Sequence, residues 1–342
     1  MCAYQKNYEQ YVKNGTQIED TEIKNRFEIR MKNERAYYAV VDLLTYRDAE
    51  RTAFSIINHY VRFVDREDDK PKVNVNLLKN GYKKTAVDSE LQVNENDTQI
   101  HIKGREFAYT IDKRTAFFTE MKFAGREYLN HPMELNIWRA PTDNDMYIKS
   151  EWKKVHYDKA YTRAYTTEVV QGKHGVKITS HASVVAETVQ KIFDVTITWK
   201  IEADGKIDVD IAVTKDDEFP DLPRFGVRMF LDKKLSAARY FGMGPQESYC
   251  DCEYVELNNS RYGIVVSAEN AFSFNASYYT QEELEKKTHN YELTESDSVV
   301  FCVDYALNGI GSNSCGPVVL DQYRFDDVLF RFQFTLIPYV KG

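Results

Sequence analysis

One short polar segment is better suited to bind a ligand than any other part of this sequence. The stretch Trp138–Asp145 concentrates a guanidinium, an amide and two carboxylates, on Arg139, Asp143, Asn144 and Asp145. Carboxylate and amide groups offer paired acceptors or donors, which suit the hydroxyl groups of a polar ligand. The same groups after a proline also make an ordinary turn, in which side chains satisfy their own backbone. The segment is therefore predicted either to hold a loop in place or to form the edge of a binding site or interface.

Other chemically active residues form no recognisable catalytic or metal-binding pattern. Glu247 has no partner carboxylate specified near it, and Gly242-Met243-Gly244-Pro245 lacks the Lys and the following helix of a phosphate-binding loop. The histidines show neither ligand spacing nor a nucleophile to pair with. The five cysteines are expected to be reduced thiols. We therefore predict no catalytic residue, no metal site and no cofactor in this chain.

Composition and charge narrow the class of protein. The 342 residues are 43% hydrophobic and 13% aromatic, which is ample for a packed core and favours sheet. A formal net charge of −8 lacks the basic footprint that a nucleic-acid groove needs. No apolar run approaches the roughly 18–20 residues of a membrane span, and the N-terminus lacks the apolar core of a secretory signal. We expect a cytoplasmic protein that binds neither nucleic acid nor membrane.

The elements that position these residues are predicted to be antiparallel strands. Apolar and polar residues alternate over 195–201 and again over 207–213, on either side of Asp204-Gly205. Asp-Gly supplies the positive φ angles of a tight two-residue turn. The C-terminal stretch 328–336 alternates in the same way. Because no regular helical crossovers separate the strands, the predicted fold class is all-β, a large antiparallel β-sandwich.

Two segments show helical features instead. Thr280 and Glu283 predict a capping box, with a helix from about Gln281 to Thr288. Near the N-terminus, apolar residues recur at i, i+3 and i+4 spacing, which is typical of an amphipathic helix. These residues are Tyr37, Val40, Val41 and Leu44, followed by Ala53, Ile56, Ile57, Tyr60, Val61 and Val64.

A boundary is predicted after the helical pattern ends. A charged run leads into Pro71, which interrupts regular structure. We therefore predict a short, helical N-terminal segment over residues 1–70 and a β-sandwich over residues 71–342.

Four motifs carry a family resemblance over roughly residues 83–337. They are Trp138–Asp145, Tyr240–Tyr249, the run from Phe272 to Leu284, and Gly309–Pro317. In this order they resemble the C-terminal domain, or the separately encoded small subunit, of family 2 β-galactosidases. The resemblance implies a galactose mutarotase-like supersandwich with a part in the hydrolysis of terminal β-D-galactosides such as lactose.

The resemblance also implies what this chain lacks. In that family two glutamates on a (β/α)₈ barrel carry the retaining hydrolysis. Such a barrel needs ~250 residues of alternating strand and helix, and this sequence has no such alternation. The chain is therefore expected to be inactive alone and to need a barrel-bearing large chain, or missing N-terminal domains, as its partner, with a β-galactoside as the sugar. Because the family places another β-sandwich before this domain, residues 1–70 are alternatively a remnant of that sandwich.

Two functions of other classes stay open. A mutarotase-like aldose epimerase would need a general base and acid, usually Glu with His, on one concave sheet face. A non-catalytic galactoside-binding module would need only the sugar contacts. Since one fold hosts several functions, the resemblance in fold does not separate these alternatives.

Overall fold

The structure is a computed structural model that describes residues 37–42, 64–65, 91–187, 191–242 and 252–341. Strands dominate the described residues, and every pairing between them is antiparallel. The all-β, antiparallel fold class predicted from the alternating pattern is confirmed.

A small sheet contains five strands in chain order. They are β3 (Gln92–Glu95), β4 (Gln99–Lys103), β5 (Phe107–Asp112), β6 (Phe117–Phe123) and β7 (Arg126–Glu127). Each strand pairs with the next along the chain, as in a meander.

A larger sheet is formed by the remaining strands. They are β1 (Tyr37–Asp42), β2 (Val64–Asp65), β8 (Leu129–Asn136), β9 (Tyr161–Gln171), β10 (Gly175–Val185), β11 (Phe193–Glu202), β12 (Ile207–Lys215), β13 (Arg224–Asp232), β14 (Ala237–Gly242), β15 (Cys252–Asn258), β16 (Tyr262–Ser277), β17 (Ser298–Leu307) and β18 (Leu329–Val340). Its main layer has the order β2-β1-β14-β15-β16-β18-β12-β11-β10-β9. A second layer runs β16-β17-β13-β8.

Strand β16 belongs to both layers. Its first part, 262–267, pairs with β18, and its last part, 273–277, pairs with β17. Between them, Glu269, Asn270 and Ala271 are exposed in succession, which breaks the alternation of a strand with one buried face. The chain thus passes from one layer to the other at this point. Phe225 on β13 and Phe330 on β18 meet edge to face at 4.8 Å, so the two layers share one core.

Helices are short and lie between strands. Within the described residues the α-helices are α1 (Ile148–Lys154) and α2 (Gln281–Lys286). Single 3₁₀ turns cover Asp143–Asp145, Tyr157–Lys159, Asn290–Glu292 and Asp321–Tyr323.

The predicted hairpin at Asp204-Gly205 joins β11 and β12, but its turn is not the predicted two-residue one. The Glu202 N–H donates to the Lys206 carbonyl at 2.8 Å, which leaves residues 203–205 in the turn, and Asp204 has no positive φ angle. Gly205 has a φ angle of +88°, which favours glycine because a Cβ is strained there. The Tyr109 hydroxyl donates to the Gly205 carbonyl at 2.8 Å, so the turn also binds the small sheet.

The start of α2 follows its prediction, and its end does not. The Thr280 hydroxyl accepts a hydrogen bond from the Glu283 N–H at 3.1 Å. The Glu283 carboxylate, however, accepts from the Thr294 N–H at 2.9 Å, so the predicted box is only half formed. The helix ends at Lys286, before the predicted Thr288, because Lys287 takes an extended conformation.

The helical prediction is wrong for Tyr37–Asp42. These residues form β1, whose backbone pairs with β14 from Tyr37 opposite Gly242 to Asp42 opposite Ala237. The backbone hydrogen bonds between β1 and β14 outweigh the local preference for a helix. Helix and strand propensities are weak constraints that tertiary contacts can override. Val64 of the second helical pattern lies in β2.

Several other predictions fall on residues that the structure does not describe. They are the rest of the helical segment over 43–63, the boundary at Pro71, Glu247 and the turn at Met243–Pro245. The alternative origin of residues 1–70 as a sandwich remnant stays a prediction.

Trp199 on β11 connects the larger sheet to the small one. Its indole N–H donates to the Ala116 carbonyl at 2.8 Å, and its ring meets Phe118 edge to face at 4.8 Å. Trp199 and Ala116 are both fully buried. The carbonyl therefore has no access to water if the indole is removed.

We expect Trp199→Phe to lower the free energy of unfolding by about 1–3 kcal/mol, because the Ala116 carbonyl loses its donor and a cavity remains. Urea unfolding followed by circular dichroism measures the change. Lys200→Ala, one residue along and exposed, is the control and should leave the midpoint unchanged. Equal midpoints for both variants would contradict this role of Trp199.

Candidate functional site

The predicted polar segment connects β8 to α1. Strand β8 ends at Asn136, and the next two residues, Ile137 and Trp138, are buried. After Pro141 the chain makes the 3₁₀ turn Asp143–Asp145 and enters α1 at Ile148.

A buried ion pair holds this segment together. The Arg139 guanidinium donates two hydrogen bonds to the Asp145 carboxylate, at 2.6 and 2.7 Å. Only 8% of Arg139 and 1% of Asp145 is exposed. The Asp145 carboxylate also accepts from the Thr142 N–H at 2.7 Å and from the Thr142 hydroxyl at 2.9 Å. Arg139 and Asp145 therefore fix the turn and are largely withdrawn from the surface.

The same contacts determine the charge of Asp145. Burial by itself would raise the pKa of this carboxyl, because it disfavours the ionised form. The Arg139 guanidinium and the two Thr142 donors outweigh burial and hold the pKa below its ordinary value. Asp145 is thus ionised at neutral pH and neutralises the buried Arg139.

Two tryptophans surround the ion pair. The Arg139 guanidinium lies over the Trp152 ring at 5.2 Å, a cation–π contact. Trp138 and Trp152 meet edge to face at 6.0 Å. Trp152 donates to the Asp221 carbonyl at 2.8 Å, and Trp138 donates to the Glu285 carboxylate at 3.0 Å. Through these contacts the segment is attached to α1, to α2 and to the residues that precede β13.

Asn144 joins the segment to the glycine-rich loop Gly309–Pro317. Its amide nitrogen donates to the Gly311 carbonyl at 3.0 Å, and its amide oxygen accepts from the Ser314 hydroxyl at 2.7 Å. The structure therefore brings together two motifs that are far apart in the sequence. Asp143 lies beside this junction with an exposed side chain. A role of these residues in binding a sugar or a partner stays a prediction.

Exposed apolar side chains accompany the two joined motifs. We call this group the loop patch, and it consists of Met146, Tyr147, Ile310, Val318, Leu320 and Tyr323, between 44% and 68% exposed. The Asn144 contacts bring the two segments that carry these residues next to each other, and exposed apolar residues in one region of a surface are typical of protein interfaces. Residues 318–323 were not predicted from the sequence to form such a surface, although apolar residues that follow Pro317 without strand alternation are a usable signal of an exposed loop.

The base of the patch loop is closed by backbone hydrogen bonds. The Gly309 N–H donates to the Tyr323 carbonyl at 2.7 Å, and the Asn308 N–H donates to the Pro223 carbonyl at 3.1 Å. The Asn308 side chain accepts from the Phe325 N–H at 2.9 Å. Because Asn308 is 3% exposed, these bonds are shielded from water. The loop surface is therefore presented from a fixed base.

The loop patch combines apolar area with hydrogen-bonding groups, which suits association better than covalent chemistry. Within the described ranges, no three His, Cys, Asp or Glu side chains come together as a metal site. No helix in the described part of the chain is long and apolar enough to cross a membrane.

Comparison with protein families identifies the chain. The family profile described as "Beta galactosidase small chain" matches residues 103–254 and 250–336, well over half of the sequence. This chain belongs to the β-galactosidase small-chain family. A second profile, described as "Replication initiation factor", matches residues 1–121, about a third of the chain, and overlaps the first between residues 103 and 121.

Curated relatives support the same family. A β-galactosidase of Actinobacillus pleuropneumoniae is 40% identical over 281 residues, which cover 74% of this chain and 28% of the relative. A β-galactosidase of Staphylococcus xylosus is 28% identical over 282 residues, which cover 73% of this chain and 28% of the relative. The chain thus spans little more than a quarter of the length of these relatives.

Solved structures that match this chain do so with low TM-scores and little shared sequence. A galactose mutarotase-like protein from Lactobacillus casei matches with a TM-score of 0.38 and 11% identity, over 73% of this chain and all of that one. A heparan sulfate lyase mutant from Pedobacter heparinus matches with a TM-score of 0.41 and 8% identity, over 74% of this chain and 37% of that one.

We expect Asp145→Asn to lower the free energy of unfolding at pH 7 by about 3–5 kcal/mol, because it leaves the buried Arg139 uncompensated. The depressed pKa of Asp145 gives the sign of the pH dependence. Its stabilisation is complete above the unfolded-state pKa of ~3.9 and is lost as pH falls through the lower folded-state value.

The measurement is urea unfolding of both proteins from pH 7 to below pH 4. The difference between the wild type and Asp145→Asn should shrink below pH ~4. Asp143→Asn, two residues away and exposed, is the matched control with little expected effect. A difference that stays constant down to the lowest pH would refute the ion-pair account.

Proposed function

We propose that this chain supplies the C-terminal sandwich of a cytoplasmic β-galactosidase, which hydrolyses terminal β-D-galactosides such as lactose. In this proposal the two catalytic glutamates lie on a (β/α)₈ barrel outside the described residues, on a partner chain or in a longer protein. The chain alone does not turn over galactosides.

The observation that carries the proposal is family membership combined with the sheet architecture of the matched region. The chain spans 28% of the two β-galactosidases described above, so most of their length has no counterpart in it. A barrel needs parallel strands alternating with helices, whereas the described pairings are antiparallel. The antiparallel pairing of the described strands therefore supports assigning the sandwich to this chain and the barrel to the rest of the enzyme.

One pair of glutamates merits comparison with a catalytic pair. Glu134 and Glu282 both bind the Arg228 guanidinium. Burial raises the pKa of Glu134 although Arg228 opposes it, whereas Arg228 and local hydrogen bonds lower the pKa of Glu282 against burial. In a retaining glycosidase the two carboxylates face the sugar across the scissile bond. Here both carboxylates bind the same Arg228 guanidinium. Because Glu282 lies on α2 and Arg228 on β13, these ion pairs attach α2 to the sheet.

The loop patch supports docking to the catalytic part. Its apolar side chains are exposed, while the groups that fix the loops, Arg139, Asp145 and Asn308, are buried. Such an arrangement presents a preformed surface that loses little conformational entropy on association. Asp143 and Asn144 at its edge give the polar rim typical of an interface.

The mutarotase alternative is disfavoured by the placement of histidine. Glu256 on β15 is a buried carboxylate that accepts hydrogen bonds from the hydroxyls of Tyr254 and Tyr339. Three histidines lie on the described strands: His101 on β4 of the small sheet, His131 on β8, where it pairs with Asp297, and His181 on β10. Strands β16, β18, β12 and β11 separate His181 from β15. At the usual strand spacing this is about 24 Å, too far for one acid–base pair.

The experiment that tests the proposal is reconstitution. The Actinobacillus β-galactosidase, from which the part that matches this chain has been removed, is mixed with the purified chain, and hydrolysis of o-nitrophenyl β-D-galactoside is measured. We expect no turnover by either protein alone and restored turnover by the mixture. The relative's own excised part is the positive control. Activity of this chain alone, or restoration only by the control part, would reject the proposal.

The loop patch makes a second prediction in the same assay. Val318→Asp and Leu320→Asp place a charge on a surface that becomes desolvated on docking, so restored activity should fall at least about tenfold. Tyr165→Asp, on the exposed face of β9, is the matched control and should restore activity fully. Unfolding midpoints of all three variants should equal that of the wild type. Full restoration by the patch variants would place the interface elsewhere.

A further inference from the structure

A groove crosses the polar face of the larger sheet. It has a volume of 590 Å³, within the range of small-molecule sites, and is lined by residues of β10, β11, β12, β18 and β16. Regular strands form its floor, and the exposed bend of β16 at Glu269 and Asn270 forms one wall. No family motif and no predicted site residue contributes to it.

The floor follows a single cross-strand row. Lys177 lies opposite Lys200, Lys200 opposite Asp208, Asp208 opposite Thr335, and Thr335 opposite Ser267. Directly opposite residues point to the same face of a sheet, so these side chains form one line across five strands. At the usual strand spacing the line is about 19 Å long, which gives an elongated site.

The charges in this lining balance. Lys177, Lys200 and Lys206 face Asp208, Asp210 and Glu269. The two aspartates are already occupied. Asp208 binds Lys206 at 3.0 Å and accepts from the Thr335 hydroxyl at 2.8 Å, and Asp210 is paired with Arg331. A groove without net charge has no reason to select a charged ligand.

Four polar side chains in the lining remain available to a ligand. Lys177, Glu269, Asn270 and Gln333 are exposed and make no side-chain hydrogen bond or ion pair with any residue that the structure describes. An ammonium group donates, a carboxylate accepts, and the two amides do both. This mixture matches hydroxyl groups, which are donors and acceptors at once.

We propose that this groove binds a neutral oligosaccharide along the Lys177–Ser267 row. Its hydroxyl groups are held by Lys177, Glu269, Asn270 and Gln333, and its apolar edges lie against Ala268 and Ile337. Because the only aromatic ring in the described lining, Phe334, is 3% exposed, no stacking platform adds affinity. Binding is therefore in the millimolar range. The groove needs no barrel-bearing partner and lies outside the loop patch, so this inference goes beyond the proposed function.

The test uses the full chain and three probes: β-1,4-galactotetraose, cellotetraose and tetragalacturonate. Saturation-transfer NMR detects binding, and titration gives the dissociation constant. We expect at least one neutral tetrasaccharide to bind in the millimolar range, and tetragalacturonate to bind no better. The double variant Asn270→Ala with Gln333→Ala should raise the dissociation constant about tenfold, since each lost hydrogen bond weakens binding several-fold.

The matched control is Asn275→Ala, an exposed asparagine on the same strand β16 outside the groove, and it should bind like the wild type. Equal unfolding midpoints exclude a folding defect in either variant. Three outcomes would overturn the proposal: no binding of any neutral probe, equal affinity in the groove variant, or tighter and salt-sensitive binding of tetragalacturonate. Since no partner is present, none of these outcomes depends on reconstitution of galactosidase activity.

Discussion

Strand β16 pairs with strands of both layers of the larger sheet, and the rest of the sandwich depends on this double pairing. Its first part completes the main layer between β15 and β18, and its last part begins the second layer beside β17. Val266 before the bend and Phe272 after it are fully buried, so both parts anchor the same core. The bend in between carries Glu269 and Asn270 outward because neither layer covers it. The two-layer core and the groove wall are thus consequences of one strand.

The second layer contains buried charged residues that fix the register between its strands β13 and β17. Arg224 and Asp304 pair at the centre of this layer, and Gly226 lies directly opposite Asp304. A Cβ at Gly226 would collide with the Val303 carbonyl and the Asp304 carboxylate, so the glycine allows β13 and β17 to approach closely. Burial raises the pKa of Asp304 although Arg224 opposes it. A buried ion pair adds little net stability, but its loss in any shifted register is costly, and it therefore selects one register.

Local features of this protein were predictable from the sequence, and long-range ones were not. The alternation around Asp204-Gly205 and the Thr280 cap each depend on residues a few positions apart, and both appear as predicted. Tyr37–Asp42 fits a helix locally, but the strand is determined by β14, about 200 residues away. Glu283 fits the capping pattern in the sequence, yet its carboxylate accepts from the Thr294 N–H, a contact that no rule of local spacing predicts.

The candidate site shows the same limit. The polar segment was recognisable from its residue types, and holding a loop in place was one of its two predicted roles, which the Arg139–Asp145 pair now fills. The contact of Asn144 with Gly311 joins residues 167 positions apart, and only the fold brings them together. The groove lining draws on five strands from Lys177 to Ile337, so no single stretch of sequence contains its pattern.

The closed base of the patch loop has a consequence for how this surface can change over evolutionary time. Because Asn308 and the Gly309–Tyr323 hydrogen bond seal the loop where it leaves the sheet, the residues beyond them contribute little to the core. Insertions and substitutions between these two points are therefore tolerated better than in the strands. The loop surface that would contact a partner can therefore change in sequence while the sandwich beneath it remains the same.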